Sequence, residues 1–290
     1  MLFCRYASES WLRTVLAHGG ELAGVGLFID DDMEALAADR NLRWRYRWKL
    51  RRHGMTLWPR LTPLLEGLWV STSPLESLWA QKAGAPTPRL TPPLPGEADL
   101  ASAPVRPPRP LIASHATSSH GADQRWLAPV VGAVLAAHPG VDFEVVADPG
   151  RDRLWRGEPR IRVIPYRDWP AYRADTAAHG RDLLLAPLHP GRANAARADV
   201  KRIDAARCGA ALMVSDPLVF QVNPDEEALG MVAPLEPAAW VKGILGLIGD
   251  EDRRRMLTDL NREKLSSARR TAAALFAPAS EGMDGTWRLT

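Results

Sequence analysis

Short apolar runs broken by turn residues recur along the chain in two unequal series. In the first, Gly24 to Asp30 (GVGLFID) and Leu68 to Ser71 (LWVS) read as β-strands. The first run ends in the acids Asp30, Asp31 and Asp32, and Asp31 or Asp32 is placed to cap a helix beginning near Met33. Behind the second run, Ser73, Pro74 and Glu76 combine a serine cap, a first-turn proline and a capping-box glutamate, which predicts a helix entered through Ser73.

The second series is more regular. Leu111 to His115 reads as a strand, and Asp123 to His138 as its covering helix, with Trp126, Leu127, Val130, Val131, Val134 and Leu135 on one stripe. Further strands are predicted at Asp142 to Ala147, Arg160 to Pro165, Asp182 to Ala186 and Ala210 to Ser215. Helical or loop segments such as Asn194 to Cys208 separate them, and Trp240 to Ile248 and Glu251 to Lys264 read as two closing helices. This alternation implies an α/β fold with a parallel, doubly wound sheet that takes ligands at the carboxyl ends of its strands. Between the two series, Ala83 to Pro110 is so rich in proline that helix and central strand are both disfavoured. The expected organisation is therefore an N-terminal part over 1–84, an extended linker over 85–110, a Rossmann-like domain over 111–265 and a C-terminal helix or tail over 266–290, loosely structured from about Phe276.

Composition changes this picture little. The 290 residues are 46% hydrophobic, enough for a real core and two domains, and the net charge of +3 does not by itself announce a nucleic-acid binder. Cys4 and Cys208 alone make neither a zinc module nor a disulfide framework, and they fit a reducing cytoplasm. No run approaches the roughly 20 apolar residues that span a bilayer. One local cluster stands out: Arg43 to Arg52 (RWRYRWKLRR) is basic and aromatic. It reads first as a solvated helix face, next as a contact for an acidic acceptor or a peripheral anionic membrane surface, and last as a nucleic-acid site.

Two stretches carry candidate chemistry. The loop Ser114 to Asp123 (SHATSSHGAD) joins a strand to a helix, and small residues there would leave backbone N–H groups and a positive dipole end for phosphates. In the block Asn194 to Gly209, Arg197, Lys201 and Asp204 are spaced to share one helical face, where the cations would hold a diphosphate and the carboxylate a ribose diol. The bland alternatives are loop histidines that cap the next helix, an ordinary Lys201–Asp204 surface pair, and an Asp123 that supports its helix. Asp30 and Asp32 also form an Asp-x-Asp pattern suited to a divalent metal.

With these motifs in view, the stretch from about Leu111 to Lys264 resembles the donor-binding domain of GT-B glycosyltransferases of the family-4-like group. The matching features are SHATSSHGAD, the strand DLLLAPL, the block NAARADVKRIDAARCGAALMVSD, and Gly230-Met231-Val232 followed by Trp240. FIDDDMEAL and LWVSTSPLE are similar to landmarks of that group's N-terminal domain. The resemblance implies a metal-independent glycosyltransferase that retains anomeric configuration and uses a nucleotide sugar as donor substrate, with no cofactor. The donor residues would be Ser114, His115, Ser119, His120, Gly121, Asn194, Arg197, Lys201 and Asp204, with Asp30, Asp31 and Asp32 on the acceptor side. Where the group places an arginine and a lysine five residues apart, this chain has His115 and His120, and where it places two glutamates it has Ala196 and Asp204. A neutral imidazole holds phosphate less strongly than a permanent cation, so a non-catalytic protein that binds a nucleotide sugar or a protein partner is the alternative. The acceptor-side domain is expected to be abbreviated: reduced, continued upstream of Met1, or completed by a partner.

Overall fold

A computed structural model describes residues 1–116, 120–147 and 152–276. Among them, nine strands form two parallel sheets. The first sheet holds β1 (Leu2–Cys4), β2 (Gly26–Ile29), β3 (Gly67–Val70) and β4 (Pro88–Leu90), hydrogen-bonded in that order. Its connections carry α1 (Glu9–His18), α2 (Met33–Ala38), α3 (Trp44–Leu50) with a π-helical turn at Arg51–Met55, the short α4 (Trp58–Leu61) and α5 (Ser73–Ala80). Leu27, Ile29, Leu68 and Val70 are fully buried on one face of this sheet, while the alternate residues Phe28 and Trp69 are only partly buried.

The second sheet comprises β5 (Leu111–His115), β6 (Asp142–Val146), β7 (Ile161–Ile164), β8 (Leu183–Ala186) and β9 (Ala211–Val214), in the order β7-β6-β5-β8-β9. The four-residue run of β8 and that of β9 are buried throughout. Between the sheets the chain forms α6 (Glu97–Leu100), and within the second unit α7 (Gly121–Ala137), α8 (Trp169–Ala178), α9 (Arg192–Ala195), α10 (Val200–Cys208), α11 (Pro224–Ala228), α12 (Pro237–Ile248) and α13 (Glu251–Phe276). α7 packs against α12, while α8, α10 and α13 pack together. Strand order reverses at β5, so the gap between the carboxyl ends of β5 and β8 is the topological switch point.

Several expectations change. The N-terminal part has a fuller sheet than its apolar runs predicted, because β1 and α1 left no clear signal and β4 lies inside the proline-rich stretch. Pro88 is tolerated there because β4 is an edge strand, bonded to β3 alone. Residues 85–110 are thus partly structure and not simply a linker. Thr72, rather than Ser73, precedes α5, and no side-chain cap bond forms; the Thr72 hydroxyl instead donates to the Ala196 carbonyl across the two halves (3.0 Å). Of the Arg43 to Arg52 cluster, Trp44 onward is helical and Arg43 is the N-cap. The second closing helix runs to Phe276, well past Lys264, and the expected tail beyond it lies outside the described residues.

Buried ion pairs tie the second unit together. Glu144 on β6 and Arg181 are both fully buried, with Arg181 Nη2 2.7 Å from Glu144 Oε1. Arg162 and His115 converge on the same carboxylate. Arg202 of α10 binds both Glu226 oxygens and Asn261 of α13. Arg207 links Asp204 to Asp99 of α6, which fixes part of the proline-rich crossing against the second sheet.

Candidate functional site

The two sheets point their carboxyl ends at one another, and a cavity of about 430 Å³ lies between them. Each strand-end residue there follows from local topology. Arg5 comes after β1, Asp30 and Asp31 after β2, and Ser71 after β3. Ser114, His115 and Ala116 close β5, and Leu185 to Leu188 close β8. His120, Asp123 and Gln124 reach the cavity from the first turn of α7, and Arg197, Ala198, Val200 and Lys201 from the junction of α9 and α10. Tyr46 of α3 completes the N-terminal wall.

On the second-unit side, permanent cations and a helix N-terminus face this space together. Arg197 Nε donates to Asn194 Oδ1 (2.9 Å), and Asn194 Nδ2 in turn donates to the His189 carbonyl (2.9 Å), so Asn194 aims the guanidinium. Lys201 Nζ donates to Asp204 Oδ2 (2.9 Å). His120 Nδ1 is 2.9 Å from Asp123 Oδ2, while Asp123 Oδ1 accepts from the backbone N–H of His189 (3.1 Å) and pairs with its Nδ1 (2.6 Å). Burial opposes ionisation of Asp123, but these imidazole and backbone bonds outweigh it and hold its carboxyl below the usual range. Burial pushes His120 down, so at neutral pH its ring is uncharged. Gln124 Nε2 donates to the Val146 carbonyl (2.9 Å), which leaves Oε1 without a partner among the described residues.

The opposing wall is built around an arginine–carboxylate clamp. Arg5 adopts a positive φ of 67° at the end of β1, a conformation costly for a non-glycine residue, and directs its guanidinium onto Asp30 and Asp31. Nη2 lies 2.6 Å from Asp30 Oδ2 and 3.0 Å from Asp31 Oδ2. Arg197 approaches Asp31 from the other half at 3.8 Å. Burial raises the Asp31 carboxyl despite both arginines. Ser71 Oγ is a second buried polar atom without a partner among the described residues, and Ser71 lines the same cavity from the opposite half.

The sequence-predicted residues separate accordingly. Ser114, His115, His120, Arg197 and Lys201 line the cavity, as do Asp30 and Asp31. Ser119 lies outside the described residues. Gly121 is buried in the first turn of α7, and Asn194 acts behind Arg197. Asp204 does not line the cavity, because its oxygens are taken by Lys201 and by Arg207 Nη1 (3.0 Å). Arg197 precedes α10 rather than sharing its face with Lys201 and Asp204. Both His115 nitrogens are engaged: Nε2 donates to Glu144 Oε1 (2.7 Å), and Nδ1 lies 3.1 Å from the Tyr172 hydroxyl. Asp32 turns away to cap α2 at Ala35 N–H (2.9 Å) and to pair with Arg192. The Asp-x-Asp pattern is thus divided between an arginine clamp and a helix cap. Arg5, Ser71 and Gln124 were not singled out as site residues by sequence, and Tyr46 only as part of the Arg43 to Arg52 cluster. Only their positions at strand ends and in the first turn of a helix could have flagged them.

No protein-family model and no curated protein matches the sequence. Solved structures do match. A TarM variant from S. aureus, in complex with fondaparinux, alpha-GlcNAc-glycerol and UDP, superposes with a TM-score of 0.59 at 11% identity, over 88% of this chain and 51% of that one. The pneumococcal O-GlcNAc transferase GtfA in complex with UDP and GlcNAc gives 0.58 at 15% identity, over 93% and 56%. An α,α-trehalose-phosphate synthase (UDP-forming) from Burkholderia vietnamiensis gives 0.56 at 11% identity, over 97% and 72%. The fold is that of the GT-B glycosyltransferases, two Rossmann-like units facing across a cleft. This chain spans about half the length of the TarM and GtfA chains.

Proposed function

We propose that this protein is a glycosyltransferase that moves a sugar from a nucleotide-activated donor to an acceptor, without a metal and with retention at the anomeric carbon. The observation that carries the reading is the convergence of Arg197, Lys201 and the first turn of α7 on a cavity at the switch point of the second sheet. A nucleoside diphosphate fits this chemistry, since fixed cations and backbone dipoles stabilise the charge that grows on the departing diphosphate without rearranging. Gln124 Oε1 and Ser71 Oγ offer buried hydrogen-bond partners for donor and acceptor from opposite walls. Retention and metal independence rest on the family resemblance. Occupation of Asp30 and Asp31 by Arg5 supports the second of these.

Purified protein incubated with UDP-, GDP- and TDP-sugars tests the reading. Transfer or slow hydrolysis of at least one donor, unaffected by EDTA and with the starting anomeric configuration in the product, is the expected result. A second reading, a nucleotide-sugar-binding protein without turnover, has its own support. Ala196 stands where the group has its first glutamate, and it is buried in the N-terminal core rather than in the cavity. Calorimetric binding of UDP or GDP with no turnover of any donor would select that reading, and neither binding nor turnover would sink both.

A further inference from the structure

Between Arg40 and Leu65 the chain carries eight lysines and arginines and no carboxylate, although its overall net charge is only +3, so the rest of the chain is net acidic. The structure gathers the densest part of this run on α3. Trp44 and Trp48, one turn apart, are 68% and 54% exposed, far from what a soluble core-facing helix would leave open to water. Arg45 lies over the Trp44 ring at 5.6 Å and Arg52 over the Trp48 ring at 5.4 Å. Lys49, also exposed, sits over Tyr6. The helix is fixed in place: Arg47 Nε and Arg51 Nη2 both donate to the Ala37 carbonyl at the end of α2 (3.1 Å each), and Leu50 is buried.

We propose that this face of α3 docks the protein on an anionic lipid surface. Indoles with adjacent guanidinium groups match the headgroup layer, where an amphipathic ring sits at the boundary and the cations meet phosphates. Single-stranded nucleic acid fits less well, because it calls for a groove with open stacking faces. Here the surface is a convex helix, and one face of each indole is already covered by arginine. Tyr46, on the inner side of the same helix, lines the cavity, so docking brings the N-terminal wall of the site within about one helix diameter, ~10 Å, of the headgroups. The docking itself does not depend on the transferase reading.

Sedimentation of the full chain with vesicles tests this, using phosphatidylcholine alone or with about 30 mol% phosphatidylglycerol, at ~0.1 M and ~0.5 M salt. The expected result is binding to the anionic vesicles only, weakened at high salt. It should fall at least tenfold in the Trp44→Ala/Trp48→Ala and Arg45→Glu/Arg52→Glu variants, whose thermal midpoints stay at the wild-type value. No binding, equal binding to neutral vesicles, or binding unchanged in folded variants overturns the proposal. So does capture of a single-stranded RNA oligonucleotide in competition with anionic vesicles.

Discussion

Arg192 Nε lies 2.5 Å from Asp32 Oδ2, an ion pair between residues 160 positions apart that joins α9 of the second unit to the cap of α2 in the first. The same guanidinium reaches Glu34 Oε2 at 3.1 Å, and Ala193 and Ala196 beside it pack into the N-terminal core. The loop after β8 therefore fastens the halves together. Among the described residues, Arg192→Ala leaves the buried Asp32 carboxylate with only its helix-capping bond. Because Arg192 is more than half exposed, the loss of stability is modest, about 1 kcal/mol. Urea denaturation measures it, and small-angle scattering should show a larger radius of gyration if the pair holds the halves closed.

Arg197→Ala and Lys201→Ala should each weaken UDP or GDP binding about tenfold, ~1.4 kcal/mol, with a shallower dependence on salt. Asn194→Ala should cost less, since Asn194 touches the guanidinium and not the cavity. Calorimetry at two salt concentrations checks all three. Equal affinities in wild type and both cation variants would remove the diphosphate site from this face.

Ser71→Ala removes a buried hydroxyl that has no protein partner among the described residues, whereas Gln124→Leu removes the unpartnered Oε1 together with the Nε2 bond to the Val146 carbonyl. Losing an unsatisfied group alone leaves stability unchanged or improved. Ser71→Ala should keep the wild-type thermal midpoint to within a few degrees, and Gln124→Leu should lose about 1–3 kcal/mol because the Val146 carbonyl loses this donor. Gln124→Leu should lower nucleotide affinity, and Ser71→Ala should raise the acceptor KM once an acceptor is found.

The Glu144 cluster sets the acid limit of the fold. His115 and His120 are both pushed below their ordinary pKa by burial, so the unfolded chain binds protons there that the folded chain does not. Stability from these groups is present above about pH 6.5 and is lost as pH falls below it. Burial opposes the Glu144 charge, but His115 and Arg181 more than offset it and lower its carboxyl to about 2, so its contribution is lost in turn as pH falls from about 4.5 toward that value. The contribution of these groups to the urea midpoint should be level above pH 7 and decline in these two stages. His115→Gln should flatten part of the upper stage. Glu144→Gln should destabilise at every neutral pH, by about 3–5 kcal/mol, because it leaves Arg181 buried with only Asp175 for charge compensation.

Much of the second unit was legible from sequence. Runs such as DLLLA and AALMVS are apolar throughout because parallel strands covered on both faces need no polar side, and the stripe on α7 repeats at helical spacing. The cap at Asp32 was also visible, since a carboxylate ahead of a helical run meets free N–H groups locally. Local pattern could not reveal β1, whose three residues leave one buried side chain, or β4, whose proline is acceptable only because no strand lies beyond it.

At the site, the sequence by itself placed cations, histidines and acids near strand ends, because that depends on short-range order. Tertiary structure decided their roles, because each side chain's role depends on which distant group reaches it first. Arg5 took Asp30 and Asp31, and Arg192 took Asp32 from 160 residues away, whereas Lys201 and Arg207 took Asp204 at a local i,i+3 spacing. His115 was drawn into the Glu144 pair, while Gln124 and Ser71 were left lining the cavity with unmet hydrogen-bonding capacity. Charge pairing over 100 residues or more is set by how two sheets face each other, and no spacing along the chain encodes it.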